Sequence, residues 1–257
     1  MNVFKEYIKR HLGNKKQYIP LDEELRKYFE KNIQCLIEDF QEPLLEIRKV
    51  LTPTPVDFPI KWDNSESNAI EVIKILSKQL VINIEDIELF FFNEGIEELT
   101  TGIYGMALET EYENSSTSES NFAKNDKGKY EIKVNINTLK DPNILVANIA
   151  YELTQIKLYG EKKIHYIDGV FAELAAIIFG FGVFNANASF NFIKQNSGWN
   201  YIRTGFLNFD EWAYALAFFA FLRKELDPDW SNYLNPTIKN EFVKCLKYIA
   251  DKENIMK

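Results

Sequence analysis

Histidine and cysteine are scarce in this chain: His11 and His165 are its imidazoles, and Cys35 and Cys245 its thiols. The cysteines are far apart and each sits in a helix-like apolar pattern. That reads as two buried thiols in a reducing, cytoplasmic setting, and it excludes a disulfide framework or a cysteine metal knuckle. Positive charge is in deficit, 30 Lys and Arg against 38 Asp and Glu for a net charge of -8. Nucleic acid is therefore not expected as a partner, because a phosphate backbone needs a clustered positive surface; a cationic partner fits better. Long hydrophobic runs are missing as well. The N-terminal residues alternate charged and apolar types, unlike a signal peptide. The most apolar stretch, residues 170 to 184, contains Glu173 and runs into Asn185, Asn187 and Asn191, which reads as a buried helix and not a membrane span. What is present is apolar residue in quantity, 46% of the chain, ample for a filled core.

Periodicity divides the chain into segments. Residues 1 to 17 carry Lys5, Lys9, Arg10, Lys15 and Lys16 around Phe4, Tyr7, Ile8 and Leu12, the pattern of a solvated basic first helix, with a partner-docking arm as the alternative. From Leu21 to about Leu51 apolar residues recur at helical spacing with a break at Pro43. The proline-rich stretch from Thr52 to Pro59 reads as an extended surface linker. Asn64 or Ser65 can cap a helix to about Leu80 with Ile70, Ile73, Ile75 and Leu76 on its face. Ile87 to Phe92 reads as a buried strand and Tyr104 to Tyr112 as a second, before the polar loop at Asn114. Lys129 to Asn137 alternates at a period of two and is a half-buried strand.

The C-terminal half is helical. Asp141-Pro142 starts a helix that runs to Leu158, with Gly160 as its stop. A buried helix spans about Asp168 to Phe192, within which Gly180 and Gly182 point to close helix contact. Asn208-Phe-Asp-Glu211 is a capping box for a helix to Leu226, and a last helix covers about Pro236 to Ile255. The aromatic residues Phe179, Phe181, Phe184, Phe190, Phe192, Trp212, Tyr214, Phe218, Phe219 and Phe221 read as core packing.

The helix after Pro142 contains Tyr151-Glu152-Leu-Thr-Gln155. A zinc-peptidase helix reads H-E-x-x-H, because positions i and i+4 share a face and present two imidazoles to one metal while the glutamate activates water. Here the glutamate stands and both histidines are replaced. Together with Leu139-Lys-Asp-Pro142, residues 173 to 190 and Glu211-Trp-Ala-Tyr-Ala-Leu216, this segment makes residues 55 to 230 resemble an uncharacterised bacterial group of zincin-like, metallopeptidase-like proteins. The resemblance implies an acidic site residue at Glu173. It also implies a further acidic residue where this chain has Gly169, with Asp168 adjacent.

These departures lead to a degenerate member of that group. Tyrosine and glutamine are poor zinc ligands at neutral pH, so no metal, cofactor or catalytic residue is expected, and Tyr151, Glu152, Gln155 and Glu173 form a vestigial site. In it the two carboxylates accept hydrogen bonds from Tyr151, Gln155 or water. The alternative is a metal-dependent hydrolase with Glu152 as general base and His165, Asp168 and Glu173 as ligands. The expected fold is α+β and helix-rich, zincin-like, with a small sheet packed on the former active-site helix and a helical C-terminal half. Residues 1 to 51 form an N-terminal helical region and 52 to 257 the zincin-like domain, together one compact unit. The expected function is binding of a protein partner, in the manner of an immunity protein that neutralises a basic toxin or effector. The acidic runs at Glu85-Asp-Ile-Glu88 and Glu109-Thr-Glu-Tyr-Glu113 are candidate contact surfaces.

Overall fold

A computed structural model describes residues 18–40, 48–93, 124–161, 168–195, 198–203 and 205–256. The basic segment at 1–17, the break at Pro43, the strand expected at 104–112, the acidic run at 109–113 and both histidines lie outside the described residues.

The first described helix, α1 (Glu23–Asp39), is capped by the Asp22 side chain, which accepts a hydrogen bond from Leu25 N at 2.9 Å. It buries Phe29, Ile33 and Leu36, spaced to share one helical face. Helix α2 (Glu66–Leu80) buries Ala69, Val72, Ile73, Leu76 and Leu80. Ile70, expected on that face, is 40% exposed, because successive helical positions turn by about 100° and Ile70 falls off the stripe set by Ala69 and Ile73. Of the two free cysteines only Cys245 is buried; Cys35 is half-buried.

Strand β1 (Ile87–Phe92) pairs in parallel with β2 (Tyr130–Asn135), Ile87 opposite Tyr130 and Phe92 opposite Asn135. Tyr130, Ile132 and Val134 face the core while Glu131 and Lys133 face out, the alternation visible in the sequence. The strand ends at Asn135, whose side chain accepts from Asn137 N at 2.9 Å and starts a 3-10 turn, Ile136–Lys140.

Helix α3 (Pro142–Gln155) begins as expected. Asp141 Oδ1 accepts from Asn143 N and Ile144 N, and Pro142 occupies the first turn, where its missing N–H costs nothing. Gly160 does not stop it; the chain widens into π-helical turns over Ile156–Glu161.

The single helix expected from 168 to 192 is instead two helices and the start of a strand. Helix α4 (Gly169–Ile178) ends in a Schellman motif, with Gly180 at φ 87°, Gly180 N donating to Ile177 O and Phe181 N to Ala176 O. Helix α5 (Gly182–Ala188) follows, and the chain then forms an antiparallel hairpin, β3 (Phe190–Gln195) with β4 (Gly198–Arg203). The close helix contact expected at the glycines holds at Gly182, where a Cβ would stand 2.8 Å from Leu216 Cδ2.

Helix α6 (Phe209–Leu222) carries the expected capping box: Asn208 Oδ1 accepts from Asp210 N and Glu211 N, and Glu211 Oε2 accepts from Asn208 N at 2.6 Å. It ends at Leu222, four residues before the expected Leu226, in a second Schellman motif with Lys224 at φ 60°. Helix α7 (Pro236–Met256) packs along it. Phe179, Phe181, Phe184, Trp212, Tyr214, Phe218 and Phe219 are buried, so these aromatics are core. Residues of α1 belong to the same hydrophobic cluster as those of α3 to α7.

The segment at 52–59 is more than a surface linker. Leu51, Thr52, Asp57 and Phe58 are buried, and Leu51 N donates to Gly180 O at 2.9 Å. Asp57 Oδ2 accepts from Thr52 N and Thr52 Oγ1, while Lys49 pairs with Asp57 Oδ1. These bonds hold the Asp57 carboxyl below its ordinary pKa against the opposing effect of burial. The chain is helix-rich with small sheets, and among the described residues no helix is long and apolar enough to cross a membrane.

Candidate functional site

Helix α3 places Tyr151 and Gln155 one turn apart, and both point into the core, 1% and 3% exposed. Glu152 sits at the margin, half-buried. Among the described residues no group hydrogen-bonds its carboxylate, so the expected bonds from Tyr151 or Gln155 do not form. Burial pushes its carboxyl up to about 7, an effect that Lys133 on β2 opposes. One turn earlier, the buried Asn148 Oδ1 also has no hydrogen-bond partner among the described residues.

Glu173, at the middle of α4, is fully buried and serves the backbone. Phe206 N donates to its Oε1 at 3.1 Å and Leu207 N to its Oε2 at 2.8 Å. The carboxylate thereby ties α4 to the turn that leads into α6. Charge-assisted bonds of this kind satisfy a buried carboxylate without a metal. These two amide donors were not legible beforehand, since they lie 33 and 34 residues along the chain.

Asp168 is similarly occupied. It caps α4, with Oδ1 accepting from Val170 N at 2.9 Å, and its Oδ2 accepts from Tyr28 OH of α1 at 2.8 Å. The Tyr159 hydroxyl donates to Asp168 O at 3.2 Å. At Gly169 a Cβ would stand 2.0 Å from Phe206 Cε2, so any side chain there requires that ring to move. His165 lies outside the described residues. Among the described residues no three His, Cys, Asp or Glu side chains converge as a cation site.

Surface cavities among the described residues lie elsewhere. One, of about 580 Å³, is lined by Pro53, Phe58, Lys61, Trp62, Asn143 and Phe184 among others. Another, of about 670 Å³, lies between the 49–57 segment and residues 225–233. Neither is lined by Tyr151, Glu152, Gln155 or Glu173. Of the two acidic runs expected as contact surfaces, the described one has two of its three carboxylates paired within the fold. Lys124 pairs with Asp86 and Lys127 with Glu88, each at 2.7 Å.

Comparison with protein-family models, with curated proteins and with solved structures gave no match.

Proposed function

We propose that this chain is a catalytically inactive, zincin-like protein that acts by binding a protein partner. The observation that carries this reading is the engagement of Glu173: both oxygens of this acid accept backbone hydrogens of Phe206 and Leu207. The two positions that would bear imidazoles, Tyr151 and Gln155, are core residues. Side chains engaged in this way have a structural use within the fold, which supports a binding role over metal-dependent catalysis. The net charge of -8 favours a cationic partner, and an immunity-type role against a basic toxin or effector is the concrete form of the proposal.

A second reading rests on Glu152, whose carboxyl, lifted to about 7, suits a general base in a metal-dependent hydrolase with His165, Asp168 and Glu173 as ligands. The metal content of untagged protein, purified without chelator and then challenged with zinc, separates the two. The binding-protein reading expects no tightly retained zinc and no peptidase activity. Near-stoichiometric zinc, with hydrolysis abolished by Glu152→Gln, would replace it with the hydrolase.

A further inference from the structure

We infer that the groove between residues 49–57 and 225–233 docks a cationic segment of the partner protein that carries apolar side chains beside its lysines or arginines. This rests on the binding-protein reading above and adds the surface and the chemistry of what it takes.

The groove carries exposed apolar side chains at its rim. Val56 is 82% exposed, Leu226 68% and Tyr233 41%, and all three line the same cavity with Pro228 and the buried Trp230. Its charged lining consists of four carboxylates, Asp57, Glu225, Asp227 and Asp229, and one ammonium, Lys49. Two of the carboxylates are neutralised. Asp57 is paired with Lys49, and Glu225 is held by Arg223 Nη2 at 2.7 Å and Trp230 Nε1 at 2.9 Å. Asp227 and Asp229 are exposed and have no hydrogen bond or ion pair among the described residues. The groove therefore offers two open negative charges between exposed apolar side chains.

Its walls are fixed in advance. Arg223 Nη1 donates to Arg48 O at 2.8 Å and so joins the end of α6 to the 49–57 segment. On the other side the Asn187 side chain donates to Tyr233 O at 2.8 Å and accepts from Asn235 N at 2.7 Å. A preformed groove loses little freedom on binding, which leaves more of the contact energy for affinity. Free amines satisfy the two aspartates but leave Val56 and Leu226 in water, whereas an apolar segment without positive charge strands Asp227 and Asp229. A basic and apolar segment satisfies both.

The test is fluorescence anisotropy on the full chain with a short fluorescein-labelled peptide alternating leucine and arginine. The same peptide with glutamate in place of arginine serves as control. Binding of the arginine peptide alone is expected, weakened about tenfold or more by Asp227→Asn with Asp229→Asn and about tenfold by Val56→Ser with Leu226→Ser. Asp251→Asn, an exposed acid on α7, is expected to leave it unchanged. The surface variants change exposed side chains, and unfolding curves matching the parent chain establish that they fold.

Undiminished affinity in the Asp227→Asn, Asp229→Asn protein would overturn the proposal, as would no binding at about 1 mM. Spermidine displacing the peptide at equal charge would make the occupant a polyamine. Self-association lost in the Val56→Ser, Leu226→Ser protein would make it a second copy, and either result overturns the inference. A native partner retained by the aspartate variants refutes this surface while leaving the proposed function in place; tightly held zinc with hydrolysis refutes the function itself.

Discussion

The carbonyl oxygen of Lys49 lies 2.2 Å from the place a Cβ on Gly180 would occupy. The same glycine has φ 87° and accepts a hydrogen bond from Leu51 N, so the break between α4 and α5 is also the dock for the segment entering 52–59. Gly180→Ala adds a left-handed penalty for a side chain to a clash with backbone that has no room to yield. A loss of about 3 kcal/mol or more in urea unfolding is expected. Gly128 has φ 73° but no atom within 4 Å of its Cβ position, and Gly128→Ala is expected to cost only about 1 kcal/mol. Equal losses at the two sites would show that the contact with Lys49 contributes nothing.

Glu173 offers a second measurable cost. Glu173→Leu leaves two amide N–H groups at Phe206 and Leu207 without their acceptor in a buried setting, and about 3 kcal/mol or more of stability should be lost. Glu173→Gln keeps one acceptor oxygen and places an amide donor against the other N–H, for which about 2 kcal/mol is expected. Hydrogen exchange at Leu207 should accelerate in both. Unchanged stability in Glu173→Leu would remove the structural role on which the proposed function depends.

Glu152 predicts a pH dependence whose sign follows from its raised pKa. In the unfolded chain its carboxyl titrates near 4.5, and in the fold near 7, so between these values the folded state holds the proton that the unfolded state has released. Stability from this group is greatest below about 4.5 and declines as pH rises to about 7. Glu152→Gln should therefore gain about 2 kcal/mol over the parent at pH 8 and little at pH 4.5. Unfolding curves of the two proteins at both pH values measure it. A parent protein whose deficit against Glu152→Gln does not grow with pH would place the Glu152 carboxyl in water.

Local signals in the sequence predicted local structure well. Asp141-Pro142 and Asn208 with Glu211 carry their capping atoms within a few residues, and both caps form as read. The alternation from Tyr130 to Val134 identified β2, but periodicity carries no information about which strand it joins or in which direction. The region after Asp168 differs from the single helix its pattern suggests, because its apolar residues run on all sides, which suits one buried helix or two short ones equally. Only the positive φ of Gly180 and its approach to Lys49 decide between them. At the candidate site the positions Tyr151, Glu152 and Gln155 were legible from spacing. The engagement of Glu173 was not, because Phe206 and Leu207 reach it only through the tertiary fold.

The ends of α2 and α6 supply the remaining prediction. In both, as at Gly180, the chain leaves the helix through a left-handed residue with the paired bonds of a Schellman motif: Ile82 N to Ser77 O after Val81, and Glu225 N to Ala220 O after Lys224. Glycine is the usual residue at that position, yet here it is a valine at φ 57° and a lysine at φ 60°. Val81 is 82% exposed, so its replacement forfeits almost no packing, and Ile82 keeps the buried contact that accompanies the motif. Relief of the left-handed penalty outweighs the extra freedom that glycine gives the unfolded chain, and Val81→Gly should stabilise the protein by about 1 kcal/mol. Lys224→Gly should gain less, because an unbranched side chain is less crowded in this conformation than a β-branched one. Urea midpoints of the two variants test the ranking. A loss of stability in Val81→Gly would mean that the unfolded-state term dominates at this helix end.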